Sequence, residues 1–475
     1  MQFIGGAQQQ QYVEKTRALD PSRCLAAGID VGKYEALCLI ADHRGELVGQ
    51  PLTFPLTEVG ARALERQLTA ASTTRQALSV RVGVETAGHY HRTIVSRLVA
   101  ADHDVVELNP AHVKAVRAQQ GSRRLKTDLR DAAAIVDLLI SGGGRAPQQR
   151  SEALVEQLVW AGLRRRRILA RTALTNQLLG TLDPIFPGLD GCFHDLLSTR
   201  VGPVLLHELA DPDRLHRLGV AGLQAFVARR GVRLASTKAQ LLHQGAADAL
   251  RLPAAERACR AAVLTADLQV LDLLNAQVAQ AEEHLAVVLP DTPAQVLLSL
   301  PGVGVVRASN YGAALGDPAR FGNADQAYRA SGLVPATYES AGRARRGQGI
   351  SRQGNTGLRA AIIELGRGLA PRDPDVARYR ASLTSRMKPL QAAIAVGHRA
   401  HRLAFALMRN GEPDDPARLA ESVATGGHRR TSNRDKRRAG PSTNDREAAC
   451  RHDVTHPPTS TLPRPSRSRK TPVRT

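Results

Sequence analysis

Short apolar runs alternate with amphipathic stretches from Cys24 to about Pro147. Segments 25–31 and 36–41 read as strands, and 47–54 as a third. The turn His43-Arg44-Gly45 joins the last two as a hairpin. Helical period follows over 57–71, with Val59, Leu64 and Leu68 on one side. Strand 78–85, helix 89–101, strand 105–108 and helix 128–140 complete the segment. Three antiparallel strands followed by alternating helices and strands predict an α/β unit built on one sheet.

Residues 150–290 read as almost wholly helical. The long segment 254–289 carries Val263, Leu268, Leu271, Leu274, Val278 and Leu285 near heptad spacing. With 152–182 it suits a coiled-coil hairpin or a dimer seam, and an ordinary helical bundle fits equally well. Residues 296–410 form another unit, with a loop-rich centre at 331–355 and helices at 355–369 and 390–409. The expected division is therefore a disordered start (1–22), an α/β domain (23–147), a helical region (148–292), a small mainly α domain (293–411) and a disordered basic tail (412–475).

Composition sharpens this picture. Hydrophobic residues reach 43% but aromatics only 3%, so the cores rest on Leu, Val and Ala. Net charge is +21, the signature of a chain that meets polyanions. From Gly426 onward there are 13 Lys and Arg against 4 Asp and Glu, so a tail too polar for a core holds only part of the excess. The five cysteines contain no CxxC pair, which argues against a zinc ribbon or a disulfide framework and fits a reducing cytoplasm. No run of about 18 apolar residues is present, so no membrane partner is expected.

Within this basic chain four acids stand out. Asp30 ends a strand in GIDVGK, and Glu85 ends another in VGVETAG. Asp128 and Asp131, in KTDLRDA, are three apart and share a helix face. Carboxylates on two strand ends and one helix face can converge at one end of a sheet. Such a set repels itself unless a cation such as Mg²⁺ is present. Any one of these acids alone would read as an ordinary surface residue.

The set Asp30, Glu85, Asp128 and Asp131, with the segments GIDVGK, VGVETAG, NPAHVKAVR (109–117) and KTDLRDA, resembles the DEDD site of the insertion-sequence-one-ten family of transposases. That family's first domain is similar to RuvC-like, RNase H-like resolvases. The resemblance covers about 27–145 and again 297–370, where LPGVG (300–304), SGLVP (331–335), YESAG (338–342) and ISRQGN (350–355) match its C-terminal transposase domain, with a helix-hairpin-helix-like start. It implies Mg²⁺ or Mn²⁺ on the four acids and a serine that attacks DNA and holds the broken strand as a phosphoserine. Ser340 is the implied nucleophile; kin often have Ser-Ser-Gly where this chain has Ser340-Ala341-Gly342, and Ser351 is the alternative.

Lys126, Arg164, Arg165, Arg343, Arg345, Arg346, Arg352 and Arg359 are the candidate nucleic-acid contacts, a solvated basic surface being the plainer reading. The resemblance further implies DNA as substrate, a guide RNA made from the element, a homodimer or homotetramer, and a nucleoid-associated cytoplasmic location. Three other readings compete: a sugar- or acetate-kinase-like ATPase, a non-catalytic nucleic-acid-binding protein, and a resolvase acting through the acids alone. The first lacks a second glycine-rich phosphate loop. The second leaves the four acids unexplained.

Overall fold

The computed structural model describes residues 20–86, 88–119, 127–148, 150–336, 339–340, 343–344 and 349–414. All but the last three residues of the expected disordered start, and the basic tail from 415, lie outside these described residues.

The first unit is a mixed five-stranded sheet: β1 (Cys24–Val31), β2 (Glu35–Ala41), β3 (Leu52–Pro55), β4 (Ser79–Glu85) and β5 (Asp104–Leu108). The strand order is β3-β2-β1-β4-β5, with β1, β2 and β3 antiparallel and β4 and β5 parallel to β1. Its helices are α1 (Glu58–Arg75), α2 (His91–Ala100), α3 (Pro110–Gln119) and α4 (Asp128–Ile140). Side chains alternate along each strand. Leu25, Ala27 and Ile29 pack with Leu64 and Leu68 of α1 and Leu98 of α2, while Ala26 packs with Ala132, Ile135 and Leu139 of α4. The sheet is thus a central layer, as an RNase H-like domain requires.

The third strand is shorter than the 47–54 expected. Leu47 makes one bridge to Ala41 and Val48 donates to the Ile40 carbonyl at 2.8 Å. Gly49 then turns left-handed (φ 84°), and Pro51 brings no N–H to the ladder. Pairing resumes only at Leu52.

Gly28 of β1 and Gly83 of β4 face each other in register beneath α4. A Cβ on Gly28 would stand 2.6 Å from the Ala132 carbonyl oxygen, and one on Gly83 would stand 2.8 Å from Leu139 Cδ2. Gly28 therefore needs glycine for the helix backbone to lie this close to the sheet, whereas at Gly83 the neighbours are the ends of leucine side chains that can shift.

The helical region holds α5 (Glu152–Ile185), α6 (Gly202–Glu208), α7 (Pro212–Ala228), α8 (Ser236–Asp248) and α9 (Ala254–Val288). Helices α5 and α9 pack antiparallel. Their contacts run from Arg164–Glu282 (2.7 Å) through Arg171–Asn275 (3.3 Å) to Gln177–Asp267 (3.0 Å), and Gln157 of α5 reaches Thr292, just beyond α9, at 3.3 Å. The Trp160 and His284 rings stack between them. The buried stripe of α9 is Leu264, Leu268, Leu271, Leu274, Val278, Ala281, Leu285 and Val288. Leu264 takes the place expected of Val263, which is 52% exposed. At the far end of the pair, α6, α7 and α8 close a separate apolar cluster.

The last unit holds α10 (Val305–Leu315), α11 (Ala324–Ala330), a short arm of β6 (Glu339–Ser340) and β7 (Arg343–Ala344), then α12 (Thr356–Leu369), α13 (Pro374–Thr384) and α14 (Pro389–Asn410). Its core buries a polar pair: the Tyr311 hydroxyl meets His401 Nδ1 at 2.8 Å, and His401 Nε2 meets the Ala324 carbonyl at 2.8 Å. In the described residues no helix is long and apolar enough to cross a membrane, and the four cysteines are free.

Two consequences are measurable. Gly28→Ala should cost about 1–3 kcal/mol by forcing α4 off the sheet, read as a lowered denaturation midpoint; an unchanged midpoint would contradict the close packing. Burial pushes the His401 imidazole from 6.5 down to about 4. Between these values the unfolded chain takes up a proton that the folded core refuses. Stability is therefore complete above pH 6.5 and falls by up to about 3 kcal/mol as pH drops through 4. His401→Gln should flatten this part of a pH series of urea midpoints.

Candidate active site

The carboxyl edge of the sheet sets the geometry. Ile29 of β1 pairs with Val84 of β4, so Asp30 and Glu85 occupy the next step on adjacent parallel strands. Two residues beyond Gly28 and Gly83, both acids fall on the face that α4 covers. Each is half-buried.

Helix α4 begins where its sequence signals place it. Thr127 is the N-cap, its hydroxyl accepting from the Arg130 amide, and Asp128 and Asp131 lie in the first turn, where the helix dipole favours negative charge. Asp128 is exposed, whereas Asp131 is only 2% exposed. A carboxylate so buried needs a cation or several donors. Arg117, near the end of α3, forms an ion pair with it. Asn109 caps α3, accepting from the Ala111 amide at 2.9 Å, which aims the Arg117 end of the helix at α4.

The four acids are thus drawn toward one edge unequally. Asp30 and Glu85 stand side by side, Asp131 is buried at the start of α4 with Arg117 upon it, and Asp128 faces solvent. Among the described residues, no three Asp, Glu, His or Cys side chains are grouped so as to hold a metal ion. By donor chemistry the set still fits a hard divalent cation, since all four residues offer carboxylate oxygens. Sequence reasoning missed Arg117. The cap residue Asn109 marks the start of its helix, but nothing local in the sequence directs Arg117 to Asp131.

Ser340 lies on an arm whose base is well defined. Ala336 N donates to the Gly349 carbonyl at 2.9 Å, Ser351 N to Val334 at 2.8 Å, and Pro335 bridges Ile350. Farther out, β6 pairs antiparallel with β7, Ser340 opposite Arg343, so two residues separate the pair. The serine therefore sits near the tip. The alternative, Ser351, stands at the base and donates its hydroxyl to the Gly332 carbonyl at 3.3 Å.

The candidate basic residues divide. Arg359 clamps the arm's base, with Nε on the Ser331 carbonyl at 3.0 Å and Nη2 on that of Arg352 at 2.8 Å. Arg352 adopts a left-handed backbone (φ 58°) and is exposed. Arg164 is paired with Glu282. Arg165 lines a cavity of about 750 Å³ between α5, α10 and α12, shared with Arg307, Asn310 and Asn355. Lys126, Arg345 and Arg346 lie outside the described residues, and Arg343 is placed by its backbone alone.

Comparison with known proteins identifies the family of the chain. A DEDD transposase family model matches residues 27–187, and that of the Transposase IS116/IS110/IS902 family matches 294–380. The chain is 30% identical to the insertion element IS116 protein of Streptomyces clavuligerus over 66% of its own length and 76% of the relative's. It is 26% identical to the IS900 protein of Mycobacterium paratuberculosis, over 82% and 97% respectively. Against the IS110 protein of Streptomyces coelicolor it is 27% identical over 60% and 71%. The matched segments contain the strand-end acids, the start of α4 and the core of the last unit, and the chain belongs to the IS110 family of DNA transposases.

Proposed function

We propose that this insertion-sequence transposase cuts and rejoins DNA by joining its carboxylate edge to a serine on the β6–β7 arm. The observation that carries the reading is the parallel register of β1 and β4, which sets Asp30 beside Glu85 on the face where α4 brings Asp131. These three, with Asp128, are the residues that would hold Mg²⁺ or Mn²⁺. A bound divalent ion supplies positive charge against the negative charge that develops on the phosphate oxygens.

The protein's own groups do the rest. Arg117 pairs with Asp131, so the guanidinium holds that carboxylate in a fixed orientation. The Ser340 hydroxyl attacks phosphorus, a new P–O bond forms, and the P–O bond to the leaving sugar oxygen breaks. The proton lost by the serine ends on that oxygen. Because the phosphoserine conserves the phosphoester, the reverse attack by a sugar hydroxyl rejoins the strand without ATP. In this reading Arg343, Arg345, Arg346 and Arg352 neutralise backbone phosphates around the arm. An element-encoded guide RNA supplies target choice, in keeping with a basic chain that offers no recognisable base-reading module. The active assembly is a homodimer or homotetramer, in which acids and serine meet within one subunit or across two.

Asp30→Ala should abolish divalent-dependent strand cleavage on an element-end substrate, a loss of at least about 100-fold; wild-type cleavage would refute the acidic site. Ser340→Ala should remove covalent protein–DNA adducts on denaturing gels while leaving DNA affinity within about twofold. Adducts that persist in Ser340→Ala but vanish in Ser351→Ala would move the nucleophile to the arm's base.

A further inference from the structure

A second group of charges flanks the same edge of the sheet on the face that α2 covers. Glu107 of β5 is one step before Leu108, the partner of Glu85, and its backbone exchanges hydrogen bonds with Arg145 at 2.8 and 3.1 Å. Three residues farther on, Gln148 Oε1 accepts from two guanidinium groups at once: Arg150 Nη2 at 2.9 Å and Arg320 Nη1 at 2.9 Å. Arg320 comes from the last unit and Arg150 from the approach to α5, so two cations from distant parts of the chain converge on one neutral oxygen. Arg92, in the first turn of α2, adds a fourth positive charge to their field.

This convergence is costly as it stands. Two guanidinium groups sharing one acceptor repel each other, and Gln148 offers no charge to offset it. Crowding by the surrounding protein and then the neighbouring arginines lower the proton affinity of both Arg150 and Arg320. The negative charges nearby are Glu107 and Asp317. Glu107 already faces His91 at 3.9 Å, and Asp317 is turned to the Ala319 amide at 2.8 Å. Among the described residues, none of Arg92, Arg145, Arg150 and Arg320 makes an ion pair, and all four are exposed. Gln148 is held from behind by the backbone of Gly316 (φ 71°), where a Cβ would stand 2.4 Å from its Nε2. A positioned, solvent-facing fork of like charges is a receptor for a shared anion.

The geometry points to Arg92, Arg145, Arg150 and Arg320, organised around Gln148, as a phosphodiester clamp that grips a nucleic-acid strand beside the carboxylate edge. It rests on the reading that this edge receives nucleic acid. A phosphate seated between Arg150 and Arg320 would relieve their repulsion and tie the last unit to the sheet domain. Binding of the strand and docking of the two units are then one event.

Salt dependence of strand binding tests this, with the full chain and labelled oligonucleotides, one single-stranded DNA and one RNA of the same sequence. The double variant Arg150→Gln/Arg320→Gln should make the log K against log salt slope shallower by about one to two, because phosphate contacts are lost. Its melting temperature should not fall, because repulsion is removed. Arg378→Gln, which removes an exposed arginine of α13 that is already paired with Asp375, should leave the slope unchanged. The strand type whose slope changes is the one gripped. Slopes equal to wild type for both DNA and RNA would overturn the clamp. Should the double variant fold poorly, Arg92→Gln keeps the question open to measurement, since that side chain makes no hydrogen bond or ion pair among the described residues. It should flatten the slope by about one, and an unchanged slope is again a refutation. Failure of the acidic-site reading would appear separately, as cleavage that survives Asp30→Ala while these slopes still change.

Discussion

The contact of α4 with the sheet across Gly28 and Gly83 is the constraint on which the candidate site depends. Glycine at position 28 lets the helix backbone approach β1 more closely than any larger residue permits, and Gly83 leaves the space beside it on β4 to the Leu139 side chain. Closeness then decides the chemistry. Asp30 and Glu85 lie two residues farther along the same strands, and Asp131 lies one residue before Ala132, whose carbonyl Gly28 touches. Three negatively charged groups are therefore carried toward one edge by the packing of small apolar residues. The electrostatic cost is met locally, by the dipole of α4 and by the Arg117 guanidinium on Asp131. That Arg117 comes from α3 makes α3 part of the site rather than a connecting piece.

Much of this was legible in the sequence, and for particular reasons. Helix α4 runs over the residues expected because a Thr cap, two first-turn acids and an apolar face of Ile135, Val136 and Leu139 all agree. Asp30 and Glu85 were readable as strand ends because apolar runs stop at them. Less was legible where long-range geometry decides. Period alone does not fix phase to one residue, so the α9 stripe was placed through Val263 when packing against α5 selects Leu264. Helix α3 is only 10 residues with one buried apolar side chain, Val113, and gives little periodic signal. The pairing of Arg117 with Asp131, and of Arg150 and Arg320 through Gln148, joins residues whose distances in sequence carry no pattern. No reading of local character could bring residue 320 to residue 148.

The basic character of the chain also divides once the structure is known. Arg164, Arg230, Arg251 and Arg257 are matched to carboxylates and serve packing. Arg359 is committed to carbonyl oxygens. The arginines left without anionic partners among the described residues include Arg165 and Arg307 in the cavity and the four near Gln148. A large net charge is thus a poor guide to where a polyanion lies, and the unpaired fraction is a better one.

The antiparallel pair α5–α9 has an architectural consequence of its own. Helices of 34 and 35 residues span about 50 Å, and the cluster closed by α6, α7 and α8 is reached and left at the same far end. Such a pair behaves as a ruler with discrete graduations. Adding one heptad to both helices would push the distal module outward by about 10 Å with only about 20° of rotation, keeping the Leu264–Val288 seam engaged. Insertions far from a whole number of turns, such as two or five residues, would swing that seam into water. Reach in such a molecule can therefore diverge only in steps, while the module at the end is free to be exchanged whole.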